Sequence, residues 1–181
     1  MRNKPLVMLS LFFTLIPSIL RAETVSLASF TTTLSGQEAN VQRNITIAVK
    51  KLDGVTVQPG AIISFNETVG EGSAANGFLP GRVLYRDETR MEAGGGLCQV
   101  SSTLYNALLM SGFSIVERHR HFQTVSYVPA GLDATIRYGK KDLRMKNVNP
   151  FPVRIRCAVS DESLRVNVTG AAQLPYRYEM E

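Results

Sequence analysis

Gly94-Gly95-Gly96-Leu97-Cys98-Gln99-Val100-Ser101-Ser102-Thr103-Leu104-Tyr105-Asn106 decides how this chain is read. Three glycines let the backbone turn sharply and approach another group closely. From Cys98 to about Ser111 the apolar residues Val100, Leu104, Ala107, Leu108 and Met110 give a helix with a buried side, and Gly112 stops it. Ser101, Ser102 and Thr103 are weak helix formers, better suited to a terminus than to an interior. The first N–H groups of a helix are unpaired and carry the positive end of its dipole. A thiol placed there, as Cys98 is, ionises more readily.

Working outward, Val25 to Leu34 reads as one or two short Thr-rich strand pieces. Gln37 to Leu52 changes to helical spacing, with Val41, Ile45, Ala48, Val49 and Leu52 on one stripe and Asp53-Gly54 as the stop. A short strand at 55–57 enters a Pro59-Gly60 turn, and Ala61 to Asn66 reads as a second apolar strand. Residues 67–80 have no clear period; a loop of that length is part of a site or conceals a short helix. A strand and an exposed turn fit 82–91. Beyond the central helix, Phe113 to Val128 reads as one long strand or two with a kink, placing Glu117, His119, His121 and Tyr127 on one face. Leu132 to Tyr138 alternates as a further strand, with a hairpin-like turn at 139–142 and a return at 143–146. Val153, Ile155, Cys157 and Val159 alternate with arginines, and Leu164, Val166 and Val168 with polar residues, which makes a hairpin with one buried face. The fold class is α+β: a single domain, mainly antiparallel sheet, packed against the helix that begins at Cys98 and the earlier one at 37–52.

The chain has 181 residues, 44% hydrophobic and 19% charged, which suits one globular domain and excludes a disordered or fibrous chain. Residues 1–22 stand apart. Arg2 and Lys4 precede an apolar run from Pro5 to Leu20, and Arg21-Ala22 follows. This reads as a signal peptide cleaved after Ala22, since the run is short for a membrane span. It leaves a domain at 23–170 and a tail at 171–181. Without residues 1–22 the bases fall to 17 against 15 acids, a charge of +2. Neither that charge nor export suits nucleic acid. The expected setting is the periplasm or the exterior, with no stable membrane span after cleavage.

Thiol chemistry needs a base within hydrogen-bond reach and a group that fixes the base's tautomer. Cys98, His121 and Asp133 meet that need if the strands at 113–128 and 132–138 pair beside the helix. This is the chain order of papain-like and transglutaminase-like thiol enzymes. His119 is the alternative base. Gly94, Gly95, Gly96, Gln99, His119 and Tyr127 are candidate binding residues, Gln99 as a side-chain amide donor near the thiol. Three alternatives stay open for Cys98. It can pair with Cys157, closing a loop of about 60 residues for about 4 kcal/mol. It can join His119 and His121 as ligands of an open zinc site. It can simply pack. Arg82, Arg118, Arg120 and Arg137 read as solvated strand faces rather than as a cationic rim. The Asn44, Asn66 and Asn167 sequons carry no weight.

The run at 94–107 resembles the core of the VanW-like proteins. So do Ile63-Ser64-Phe65-Asn66-Glu67-Thr68-Val69-Gly70, Val116-Glu117-Arg118-His119-Arg120-His121, and Tyr127-Val128-Pro129-Ala130-Gly131-Leu132-Asp133-Ala134-Thr135. The resemblance covers roughly residues 28–157. That family is named for an accessory gene of some glycopeptide-resistance clusters. The resemblance implies association with the cell envelope and with peptidoglycan, and it favours His121 over His119. Where the family commonly has Ser after that histidine, this chain has Phe122. The expectation is an exported envelope protein acting as a cysteine-dependent amide hydrolase or acyl transferase on peptidoglycan peptides. No cofactor and no metal is expected. The alternative is a noncatalytic envelope-binding module in which Cys98 is structural.

Overall fold

Alternating apolar residues near the C-terminus build the main sheet. Val153 and Ile155 of one strand and Leu164, Val166 and Val168 of the next are fully buried on one face, while Arg154, Arg156 and Arg165 point out. In the computed structural model, residues 24–85 and 88–175 are described. The signal-peptide reading of 1–22 and the last six residues of the expected tail lie outside them.

The first strand, β1 (Val25–Thr33), pairs antiparallel with β9 (Ser163–Gly170), which pairs with β8 (Val153–Val159), which pairs with β2 (Thr56–Val57). β1 is one strand, with a register irregularity between Ser26 and Ala28 in place of a break. Two helices lie against this sheet and against each other, α1 (Ala39–Leu52) and α3 (Leu97–Met110). All five residues of the α1 stripe are buried. A second sheet has the order β3 (Ile62–Ser64), β7 (Arg144–Lys146), β6 (Ser114–Glu117). The short helix α2 (Phe65–Val69) follows β3, with the Ser64 hydroxyl accepting from the Glu67 N–H as its cap. β4 (Pro80–Tyr85) and β5 (Glu88–Ala93) form a separate hairpin. The aperiodic stretch at 67–80 therefore holds the end of α2 and a single 3-10 turn at Ala74–Asn76.

Two strand expectations fail. Of Phe113 to Val128, only Ser114–Glu117 is a strand, and residues 118–128 form a loop. Leu132 to Tyr138 is no sheet strand; its one bridge, Arg137 to Lys141, closes the following turn. The return strand β7 pairs instead with β3 and β6. The cause is competition for backbone groups. Ser101 Oγ donates to the Ala134 carbonyl at 2.5 Å, and the Ala134 N–H donates to Ser102 Oγ at 2.8 Å. Asn106 Nδ2 donates to the Leu132 carbonyl at 2.8 Å. Side chains of α3 thus occupy the positions a neighbouring strand would fill.

The triple glycine is needed for close packing. A Cβ on Gly95 would lie 2.5 Å from the Gly81 carbonyl carbon and 2.9 Å from the Arg82 nitrogen. Gly96 adopts φ of +100° as the N-cap of α3, and a Cβ there would meet Val41 at 2.9 Å. Asn44 of α1, fully buried, clamps both sides of this crossing. Its Nδ2 donates to the carbonyls of Leu79 (2.8 Å) and Gly95 (3.0 Å), and its Oδ1 accepts from the Leu79 N–H (2.8 Å). Gly95→Ala is therefore expected to cost about 2 to 3 kcal/mol by overpacking. Gly139→Ala, at φ of +72° but in open space, should cost about 1 kcal/mol. Urea unfolding of the two variants against the parent protein checks the difference.

Candidate active site

Every residue of α3 from Leu97 to Leu108 is buried except Cys98. The glycine turn places the start of the helix, Cys98 with Leu97 and Gln99, at a cleft of about 550 Å³. Gly94, Gly96 and Leu97 line it beside Cys98, together with residues 124–127, Ile136, and Arg82, Leu84 and Thr89 of the β4–β5 hairpin. The Leu97 and Gln99 N–H groups are taken by the Gly94 and Gly96 carbonyls. The Cys98 N–H has no backbone acceptor among the described residues and is left at the positive end of the helix.

His121, from the loop after β6, meets the sulfur. Asp133 accepts through Oδ2 from both the backbone N–H and Nδ1 of His121, each at 2.6 Å. With Nδ1 held by Asp133, Nε2 is the ring nitrogen left to interact with the Cys98 thiol. The His121 side chain is 5% exposed. Segments 118–121 and 132–136 run side by side, joined by the Thr135 N–H donating to the His119 carbonyl at 2.8 Å. This brings the three predicted residues together although the strands meant to carry them do not form. Thr135 adds a fourth contact, its Oγ1 lying 3.5 Å from the sulfur.

Burial disfavours the charged forms of Cys98, His121 and Asp133 alike, yet all three shift toward them. At Cys98 burial is outweighed by the hydrogen bond and charge of His121, by the Thr135 hydroxyl and by a backbone hydrogen bond at Ile136, so the thiol falls below its ordinary 9.0. At His121 burial is outweighed by Cys98 and then Asp133, so the imidazole rises above 6.5. At Asp133 burial is outweighed by the backbone N–H and ring of His121 and by the Arg118 charge, and the carboxyl falls below 3.8. The arrangement favours a thiolate–imidazolium pair braced by a carboxylate. Tyr127 sits edge-on to the imidazole, ring centroids 6.5 Å apart. Burial, then the nearby charge at Cys98, pushes its phenol well above the ordinary range, so it stays protonated.

The other candidates separate. His119 Nε2 faces Glu117 Oε1 at 2.9 Å, turned to a different partner from His121. Gln99 is buried and structural: its Nε2 donates to Thr32 Oγ1 (3.1 Å) and the Thr33 carbonyl (2.7 Å), and its Oε1 accepts from Gln37 (2.8 Å). Both of its N–H groups are spent, so it is no donor to a substrate. Gly94 and Gly96 line the cleft, while Gly95 is packed against Gly81. Among the described residues no group of three or more His, Cys, Asp or Glu could hold a metal ion. Cys98 and Cys157 are free thiols. Cys157 is half-buried on β8 with its N–H on Asp53 Oδ1 at 2.9 Å, and burial followed by the Asp53 charge pushes its thiol up to about 12. Residue-type reasoning missed Thr135, whose place in the Leu132-Asp133-Ala134-Thr135 run was its one available signal. It also misread Arg118, which is not a solvated face: its side chain is 14% exposed and touches Asp133.

The family description "VanW like protein" matches residues 40–169. The chain is 36% identical over 133 residues to the uncharacterized protein YoaR of Bacillus subtilis strain 168, covering 74% of this chain and 44% of that protein. It is 28% identical over 126 residues to the vancomycin B-type resistance protein VanW of Enterococcus faecalis, covering 67% of this chain and 46% of that protein. The chain thus spans less than half the length of these curated relatives. No solved structure matches it. A match from residue 40 to 169 takes in all but the first residue of α1, α2, α3 with its glycine–cysteine turn, His121 and Asp133, and on it the chain belongs to the VanW-like family.

Proposed function

We propose that this chain is an exported, cysteine-dependent amide hydrolase or acyl transferase acting on peptides of the cell envelope, peptidoglycan above all. The observation that carries this reading is the half-buried position of Cys98 in a run of α3 that is otherwise buried from Leu97 to Leu108, against an imidazole whose Nδ1 is held by a buried carboxylate. Packing alone gives no reason to leave a thiol half-buried in the first turn of α3, lining a cleft. The vancomycin-resistance name of one relative supports the envelope setting. Among the described residues no helix is long and apolar enough to cross a membrane.

The chemistry follows from the geometry. The Cys98 thiolate attacks an amide carbonyl carbon, and the carbonyl π pair moves to oxygen. The resulting oxyanion lies nearest the Cys98 N–H at the start of α3. His121, as imidazolium, gives its Nε2 proton to the departing amine as the C–N bond breaks, leaving a thioester. Water or an acceptor amine then attacks the thioester while neutral His121 takes its proton, and Cys98 leaves as thiolate. Water makes the reaction a hydrolysis, an amine a transfer. Asp133 holds the Nδ1–H tautomer throughout, and the Thr135 hydroxyl donates to the thiolate between turnovers.

Iodoacetamide at neutral pH should alkylate Cys98 in the native, unreduced protein well before Cys157; intact mass and peptide mapping read this out. No adduct at Cys98 would rule out a free reactive thiol. Cys98→Ser should abolish release of amine from peptidoglycan peptides with an unchanged melting temperature. Retained cellular function in that variant would select the noncatalytic module instead. The alkylation rate should rise with pH through a midpoint below the 9.0 of a free thiol. Acylation by substrate should in addition fall at a midpoint above 6.5, where His121 loses the proton the leaving amine needs. Asp133→Asn should lower the acylation rate by about a hundredfold or more. Thr135→Val, which loses one hydrogen bond to sulfur, should raise the alkylation midpoint by about half a pH unit.

A further inference from the structure

We propose that Arg118 is a positioning residue of this site, acting on the thiol only through Asp133; the inference rests on the thiolate reading of Cys98. Arg118 does not line the cleft. Its Nε donates to the Asp133 carbonyl at 2.7 Å, and one terminal nitrogen donates to the Gly131 carbonyl at 2.6 Å and reaches Asp133 Oδ1 at 3.5 Å. The face of the guanidinium lies on the Tyr105 ring of α3, 4.6 Å from its centroid. A planar cation between an aromatic ring and two carbonyls has one orientation to adopt. That orientation fixes both the backbone and the carboxylate of Asp133, so Oδ2 is the oxygen presented to His121. His121 holds Oδ2 and Arg118 reaches Oδ1, so the carboxylate plane is set from both oxygens, and losing the Arg118 contact loosens its aim at the imidazole.

The charged and titratable groups near the thiol are His121, Tyr127 and Asp133. Glu71, Arg82, Glu92 and Arg137 line the cleft farther out. Arg118 bonds to Asp133 alone in either set. A lysine at 118 keeps the charge and loses the fork. The effect on the thiol must therefore vanish when Asp133 can no longer act as a carboxylate.

The experiment measures the pH midpoint of Cys98 alkylation in four full-length proteins: parent, Arg118→Lys, Asp133→Asn and the double variant. Arg118→Lys should raise the midpoint by about one pH unit, a roughly tenfold slower alkylation below it, and should add almost nothing in the Asp133→Asn background. Equal shifts in both backgrounds, or no shift in the parent background, would overturn the inference. A parent midpoint at the ordinary thiol value would instead overturn the thiolate reading, so the two failures are distinguishable. Should Arg118→Lys not fold, Tyr105→Leu removes the ring behind the guanidinium and is read against the same pair of backgrounds, with the same two outcomes deciding.

Discussion

Helix α3 is buried on nearly all sides while carrying Gln99, Ser101, Ser102, Thr103 and Asn106. Burying polar groups without partners costs free energy, so each of these side chains must find one inside the protein. Gln99 and Thr103 find theirs on β1: Gln99 Nε2 bonds Thr32 and Thr33, and Thr103 Oγ1 lies 2.9 Å from Thr32 Oγ1. Ser101, Ser102 and Asn106 find theirs on the backbone at 132–134. The second set lays an extended segment along the helix one turn beyond Cys98. Asp133 arrives at His121 and Thr135 at the thiol because the serines need the Ala134 peptide groups. The hydrogen bonds that these side chains make also assemble the site.

The site's electrostatics follow from the same burial. Each of Cys98, His121 and Asp133 would be neutral if buried alone. Together each supplies the charge or hydrogen bond that the next requires, and desolvation then strengthens the attraction between them. Cys157 is the internal control. It is also a half-buried cysteine, but its near neighbour is the Asp53 carboxylate, and its thiol moves in the opposite direction. Two half-buried cysteines of one chain thus shift in opposite directions because of their neighbours.

Much of this could be read beforehand. The α1 stripe, the C-terminal hairpin and the helix after the glycine turn follow from periodicity, because each buries one face against something apolar. The order of Cys98, His121 and Asp133 was legible too. Its support was not. Alternation at 113–128 and 132–138 was read as sheet, yet only 114–117 pairs as a strand, and the backbone groups at 132–134 bond to side chains of α3 and Arg118. Alternation reports which residues face inward and is silent on what the backbone pairs with. Arg118 read as one arginine among several basic neighbours; only packing on Tyr105 and the carbonyls at 131 and 133 distinguishes it. Gln99 read as an available amide, and its commitment to Thr32 and Thr33 spans about 66 residues of chain.

Local chemistry alone settled the two long helices, the glycine turn between them and the C-terminal hairpin, which cysteine sits at a helix start and which histidine and aspartate follow it. These depend on glycine geometry, apolar spacing and residue type, all short-range properties. Tertiary structure decided that Cys98 opens into a cleft while Gly95 is sealed against Gly81, that His121 and not His119 meets the sulfur, and that Thr135 and Arg118 join the site. Those outcomes depend on which groups remain unsatisfied once the helix is buried, and burial belongs to the whole fold.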